Sequence, residues 1–412
     1  MSTSSAVFTP YEKFVIAILS LLQFTVILDF MVLSPLGAIL MPEMGISTSQ
    51  FGLVVSAYAI SAGASGLTAA GFADRFDRKR MLLFFYVGFV LGTLCCGLAA
   101  SYPFLLLARI VTGVFGGVIG SISFAIIADL FPMEVRGRVM GFVQLAFSAS
   151  QVLGIPIGLF LATRFSWHAP FLMIVTIALP VGVVISLKLR PITGHLRVRQ
   201  ERNVLVHLWR TASNPSYLRG FMATMLLATG GFMLMPFSSA FMVNNIRIPE
   251  TRLSVIFFAT GLCSLFTGPT LGRLSDRFGT YRLFVFGSTL SMVMVFVYTH
   301  LGPNPLWVII LTNVVLWVGI SSRMISSSAL TSGVPEMKDR GAYMGINSSI
   351  QQVAGGIASF VAGLIVYQPT ALSPLQHFDT VGDVTIVTMM LTVVLMYFID
   401  RQVAEKLEVA GT

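Results

Sequence analysis

Apolar residues in this chain come in nearly unbroken runs, separated by short polar stretches, rather than alternating or recurring on one helical face. A helix of about 20 residues spans the hydrocarbon core of a bilayer, and the runs have that length. They predict membrane helices near 14–40, 51–71, 81–100, 104–128, 139–162 and 168–188. Six more follow near 219–243, 252–272, 282–301, 305–332, 343–367 and 382–400. The first run, Phe14 to Leu40, is too long for the apolar part of a cleaved signal peptide and reads as a retained helix. One long polar interruption, 189–218, carries Arg190, Arg197, Arg199, Arg202 and Arg210, with Lys188 and Arg219 at its edges. The expected organisation is a six-helix bundle over 1–188, a basic linker over 189–218 and a second six-helix bundle over 219–412.

Composition points to the same solvent. Of 412 residues, 55% are hydrophobic and 10% charged, with a mean hydropathy of +0.85. Soluble proteins carry roughly a quarter charged residues, so the bilayer is where so many apolar side chains can face outward. A large soluble domain, a disordered chain and a disulfide framework are all excluded. The net charge of +9 lies in the short segments between runs, which is a topology signal and not a nucleic-acid surface. With the N-terminus placed in the cytoplasm, 21 of the 26 Lys and Arg fall on the cytoplasmic side. Arg164, Arg247 and Arg252 fall outside, and Arg109 and Arg323 lie within spans. Both termini are therefore expected to be cytoplasmic. Cys95, Cys96 and Cys263 lie in apolar runs, and neither they nor the five His residues have metal-ligand spacing. A Walker loop, a Ser-His-Asp arrangement and paired carboxylates are missing, so catalysis and ATP-driven transport have no sequence support, and no cofactor or metal is expected.

The two halves repeat. Asp74-Arg75-Phe76 returns as Asp276-Arg277-Phe278, and Arg136-Gly137 with Met140-Gly141 returns as Arg340-Gly341 with Met344-Gly345. Parallel repeats of six spans imply two bundles related by an axis along the membrane normal, with a site between them at mid-depth. The fold class is thus an all-α integral membrane protein with twelve transmembrane helices in two pseudo-symmetric six-helix bundles.

These residues resemble those of the major facilitator superfamily. GFADRFDRKR, Gly71 to Arg80, resembles that family's loop between helices two and three, and GRLSDRFGTYR, Gly272 to Arg282, is its degenerate second copy. LLLARIVTGVFGG, Leu105 to Gly117, is similar to the fourth-helix motif with its buried Arg. Asp129-Leu130-Phe131-Pro132 followed by Arg136-Gly137 resembles the end of that helix, and Leu28-Asp29 the acidic helix-one motif of the drug:proton antiporters. The twelve-helix drug or sugar antiporter branch is the one most similar. Helix five departs from the antiport pattern: in Gly154-Ile155-Pro156-Ile157-Gly158-Leu159 the proline comes one place late and one glycine is missing.

Asp29 is the sharpest candidate, because a carboxylate deep in an apolar run is costly and marks functional paths. It lies 16 residues beyond Lys13, and Arg109 lies 20 residues before Asp129. At 1.5 Å per residue these are about 24 Å and about 30 Å from the cytoplasmic face, so the two share the outer half of the membrane. Two readings are open, a proton-coupling pair or a static ion pair that pins helices. Arg323, about 18 Å from the cytoplasmic end, either faces the cavity and attracts an anionic or electron-rich substrate or meets an unseen partner. Gln144, Ser148 and Gln151 fall on one face of helix five, and Tyr343, Asn347 and Gln351 on one face of helix eleven. Both stripes are expected to line the substrate cavity, with interhelical hydrogen bonding as the alternative. By resemblance, Gly71, Asp74, Arg78 and Asp129 form a cytoplasmic latch, with Asp74 capping helix eleven and Arg78 pairing with Asp74 and Asp129.

The expected function is secondary transport by alternating access, with proton-coupled efflux of small drug- or sugar-like molecules in front. Uptake by symport, facilitated diffusion of organic anions, lipid or lysolipid transport and a transport-dead sensor are the alternatives. Expected partners are a small-molecule substrate, protons and the bilayer of the cell membrane, with the chain acting as a monomer and the proton gradient as energy source.

Overall fold

The structure is a computed structural model describing residues 8–69, 75–197, 204–336, 339–370 and 373–411. Twelve helices among these residues are long and apolar enough to cross a membrane. In the first half they are α1 Pro10–Met44, α2 Thr48–Ala69, α3 Arg78–Gly97, α4 Tyr102–Leu130, α5 Val135–Arg164 and α6 Ala169–Lys188. In the second half they are α7 Pro215–Asn244, α8 Glu250–Ser275, α9 Thr280–Thr299, α10 Leu306–Ser332, α11 Arg340–Ile365 and α12 Phe378–Lys406. No strand occurs among the described residues. An even number of crossings puts both ends of the chain at one end of the molecule, called here the terminal end.

Local chemistry sets the helix ends. Thr9 and Glu12 form a capping box at the start of α1, where Glu12 N donates to Thr9 Oγ1 at 3.2 Å and Thr9 N donates to Glu12 Oε2 at 2.8 Å. Pro10 follows at the first helical position, where its missing N–H costs nothing. Asp77 caps α3 by accepting Lys79 N at 2.8 Å, and it also accepts Ile192 N at 3.0 Å from the start of the linker. At the other end of α4, Arg136 donates from Nε to the carbonyl of Phe131 at 2.8 Å and from Nη2 to that of Ala128. These carbonyls have no partner within the helix, and a guanidinium satisfies them.

α1 and α7 share a break. Each is interrupted by a three-residue 3-10 turn, Ser34–Leu36 and Met235–Phe237, with Pro35 and Pro236 as the middle residue. The short helical segments beyond these turns pack on each other across the two bundles. Lipid tails are as apolar as the side chains, so helices associate in a bilayer through close approach and hydrogen bonds. A Cβ on Gly52 of α2 would come within 2.8 Å of the Ser359 carbonyl of α11, so only glycine lets these two helices touch there. Thr48 Oγ1 donates to the Val366 carbonyl at 2.7 Å, Ala38 N donates to Ser239 Oγ at 3.3 Å, and Phe51 meets Phe237 edge-on. All of these contacts lie at the end away from the termini.

Toward the terminal end α5 and α8 part. α5 and α8 touch through the far half of α5, where a π-turn, Ser150–Gly154, presses on Gly261. A Cβ added to Gly137 or Gly141 of α5, to Gly268 or Gly272 of α8, or to Gly341 or Gly345 of α11 would meet no described atom within 4 Å. α2 and α11, by contrast, stay together toward the terminal end, where a Cβ on Gly63 would lie 2.9 Å from the Ser349 carbonyl. In the linker, the helix Val204–Ala212 rests against α11. Phe84, Leu91, Phe286 and Trp307 project outward, as a bilayer allows.

Candidate functional site

α1 and α4 bring Asp29 and Arg109 together in the interior of the first bundle. Arg109 Nη1 donates to Asp29 Oδ2 at 2.8 Å, and Thr93 Oγ1 of α3 donates to Asp29 Oδ1 at 3.1 Å. Asp29 is 0% exposed and Arg109 1%, so both are shut off from bulk solvent. The guanidinium lies over the ring of Tyr58 of α2, 4.5 Å from its centroid. An aromatic face attracts a cation more strongly when both are desolvated. Tyr58 in turn meets Phe30 at 5.4 Å, and Phe30 meets Phe232 of α7 at 5.8 Å. A chain of ring contacts thus leads from the ion pair to the boundary between the bundles.

Glycines make this approach possible. A Cβ on Gly113 would fall 2.4 Å from the Tyr58 carbonyl, and one on Gly154 would fall 2.5 Å from Leu28, the neighbour of Asp29. The altered helix-five motif therefore has a plain packing job: Gly154 and Gly158 seat α5 on Leu28 and Val32 of α1.

The stripe on α5 keeps a graded exposure: Gln144 is exposed, Ser148 half-buried, and Gln151 buried where the π-turn meets α8. The α11 stripe turns out differently from its expectation as a cavity wall. Tyr343 is fully buried against α7, stacked on Phe221 at 4.8 Å and edge-on to Tyr217 at 5.5 Å. Asn347 Oδ1 accepts a hydrogen bond from Thr224 Oγ1 of α7 at 2.7 Å. Both side chains hold α11 to α7 inside the second bundle, because a phenol ring gains most from apolar neighbours and an amide from a hydroxyl partner. Gln351 remains half-buried. Arg323 also departs from the expected cavity position. It is 3% exposed and lies in the interior of the second bundle, with its Cζ 5.8 Å from the ring of Phe284 on α9.

Of the four latch residues, Gly71 and Asp74 lie outside the described residues. Arg78 Nε donates to Asp129 Oδ2 at 3.1 Å, tying the start of α3 to the end of α4. No group of His, Cys, Asp and Glu among the described residues could hold a metal ion.

A model of the Major Facilitator Superfamily matches residues 19–237 and again residues 220–410, which together take in nearly the whole chain. The chain belongs to the Major Facilitator Superfamily. It is 25% identical over 382 residues to the uncharacterized MFS-type transporter YceJ of Bacillus subtilis, covering 92% of this chain and 94% of that one. It is 23% identical over 283 residues to a probable sugar efflux transporter of Helicobacter pylori, covering 68% of this chain and 70% of that one. Among solved structures, it matches a bacterial homolog of the human lysosomal transporter Spinster with a TM-score of 0.77 at 15% identity, over 97% of this chain and 99% of that one. That likeness establishes the fold. The protein is a multi-pass membrane transporter of this superfamily, and nothing in its relatives or fold indicates an enzyme.

Sequence reasoning did not find Tyr58 and Thr93, the two uncharged members of the buried cluster, nor Asp77 as the cap of α3. Tyr58 and Thr93 are polar residues inside apolar runs, which was the available signal. Many other hydroxyls in the spans bond their own helix, as Thr112 and Ser123 do, and sequence does not separate the two kinds.

Proposed function

We propose that this superfamily member is a proton-coupled exporter of small organic molecules, with Asp29 as the proton acceptor and Arg109 as its alternating partner. The observation that carries the reading is the sealed pair itself, a carboxyl group held at 2.8 Å by a guanidinium in the interior of the first bundle. Protonation of Asp29 removes the charge that holds Arg109. The freed guanidinium then shifts on Tyr58, and the rings of Tyr58, Phe30 and Phe232 pass that shift to the bundle boundary. Coupling needs such a two-state element, biased by both proton and substrate.

The distribution of Lys and Arg supports cytoplasmic termini in the cell membrane, so the end at which α5 and α8 part faces the cytoplasm. Gln144, Ser148, Gln151 and Gln351 would offer the substrate polar groups between the bundles. The likeness to a probable sugar efflux transporter of Helicobacter pylori supports the direction. Arg78 and Asp129 would fasten the loop region that must rearrange when the terminal end closes. Transport needs no cofactor beyond the proton gradient, and one chain contains the whole pathway.

The test is transport in proteoliposomes with an imposed pH gradient and a panel of amphipathic drugs and sugars. Asp29→Asn and the double variant Asp29→Asn with Arg109→Met should still exchange a substrate across the membrane while failing to accumulate it against a gradient. Normal gradient-driven accumulation by either variant would overturn the coupling role.

A further inference from the structure

We propose that the second bundle holds a small monovalent anion against Arg323, at the place where the first bundle holds the Asp29 carboxylate. The correspondence comes from the broken spans. Pro35 and Pro236 occupy the same position in the 3-10 turns of α1 and α7, and six residues before them stand Asp29 and Gly230. A Cβ added to Gly230 would lie 4.0 Å from Arg323 Nη1 and 3.2 Å from Thr388 Oγ1 of α12. The guanidinium is aimed at the point where the first bundle has a carboxylate and the second has a hydrogen atom.

Nothing described balances that charge within the protein. Arg323 makes no ion pair among the described residues, and its Nε and Nη2 are buried without a hydrogen-bond partner. The same region holds other orphans: Ser288 and Ser291 Oγ on α9, Ser326 Oγ on α10 and Thr385 Oγ1 on α12. Close contacts hold α9 against α10 beside Arg323. A Cβ on Gly287, beside Ser288, would lie 3.1 Å from Arg323 N, and Ser291 Oγ lies 2.6 Å from the Cβ position of Gly319, one turn from Arg323.

A guanidinium has donors and no acceptor, and a hydroxyl can turn its hydrogen toward a negative centre. Such a lining attracts an anion and repels a cation. Water would satisfy the hydrogen bonds and leave the charge uncompensated, which is expensive at this depth. One guanidinium calls for one negative charge. The packing of Gly287 on Ser322 and of Gly319 on Ser291 holds α9 tight against α10 beside Arg323, which favours a halide or a carboxylate end over a bulky ion. This chemistry has two sources, free chloride or the carboxylate of an organic anion.

The test uses the full purified chain, exchanged into sulfate buffer of constant ionic strength, with melting temperature read while sodium chloride or sodium acetate replaces sulfate. A ligand that binds the folded state raises stability with the logarithm of its concentration once above Kd. The wild type should show that rise, Arg323→Met should show none, and Gly230→Asp should start higher in sulfate and lose the response, because its own carboxylate fills the site. A larger rise with chloride identifies a free halide, and a larger rise with acetate identifies a carboxylate end. Equal melting temperatures in all three salts for the wild type overturn the proposal. So does a chloride response in Arg323→Met equal to that of the wild type. Should Arg323→Met not fold, an undiminished response in Gly230→Asp overturns it.

Discussion

In the first bundle a buried arginine has a carboxylate 2.8 Å away, a threonine behind that carboxylate and a tyrosine face beneath its guanidinium. In the second bundle a buried arginine has a more distant phenylalanine ring and a glycine where the carboxylate would stand. The loops differ in the same way. Arg78 and Asp129 form an ion pair in the first half, whereas in the second Ser275 Oγ donates to Thr280 Oγ1 at 3.2 Å. A repeat in the backbone does not carry a repeat in charge. Helix breaks and close helix contacts recur because the bilayer imposes them on both halves, while ionisable groups stand only where each half uses them.

The contrast is sharpest in stability. Arg109→Met leaves Asp29 without its partner, and removing one member of a buried pair costs about 3–5 kcal/mol. Arg323→Met leaves no opposite charge behind and should cost far less in the absence of a bound anion. Thermal unfolding of both purified variants in sulfate measures the difference, and equal losses would erase the distinction between the bundles. Adding Asp29→Asn to Arg109→Met should recover much of the loss, since replacing both partners of a buried pair is often nearly neutral.

Tyr58→Leu should weaken the first site by roughly 0.5–2 kcal/mol through loss of the cation–π contact, with Tyr58→Phe retaining most of it. Phe284→Leu should have a smaller effect on the second, where the ring lies 5.8 Å from the guanidinium carbon. Side-by-side unfolding curves decide the order. The smallest effect is expected at the loops. Asp129→Asn breaks a partly exposed ion pair, a type contributing about 0–1 kcal/mol. That amounts to at most about a 5-fold change in the ratio of open to closed states at the terminal end. Labelling rates of a cysteine placed at Gly345 would report it, and a change of a hundredfold would mean that the pair is a principal latch.

Parts of this could be read directly from the residues. α1 was expected over 14–40 and runs Pro10–Met44, and α12 was expected over 382–400 and runs Phe378–Lys406. The extra turns carry polar residues such as Glu12, Lys13, Glu43, Asp379, Arg401 and Glu405, which interrupt the apolar run without ending the helix. The depth of Asp29 and Arg109 followed from the rise per residue, and their contact needed only adjacent helices. The direction of Tyr343, Asn347 and Arg323 did not follow, because a face of a helix has no inside until its neighbours are placed.

Sequence alone determined the solvent and the number of spans, because both depend on how long an apolar run must be to cross a bilayer, and the twofold repeat, because the same loop residues return in each half. It also marked Asp29, since a carboxylate among apolar residues is conspicuous wherever it points. Tertiary structure decided what each buried group meets: Tyr58 under Arg109, Thr224 on Asn347, Gly230 opposite Arg323. Those pairings join helices far apart in the chain over a few ångströms, and one glycine more or less shifts the approach enough to change the partner.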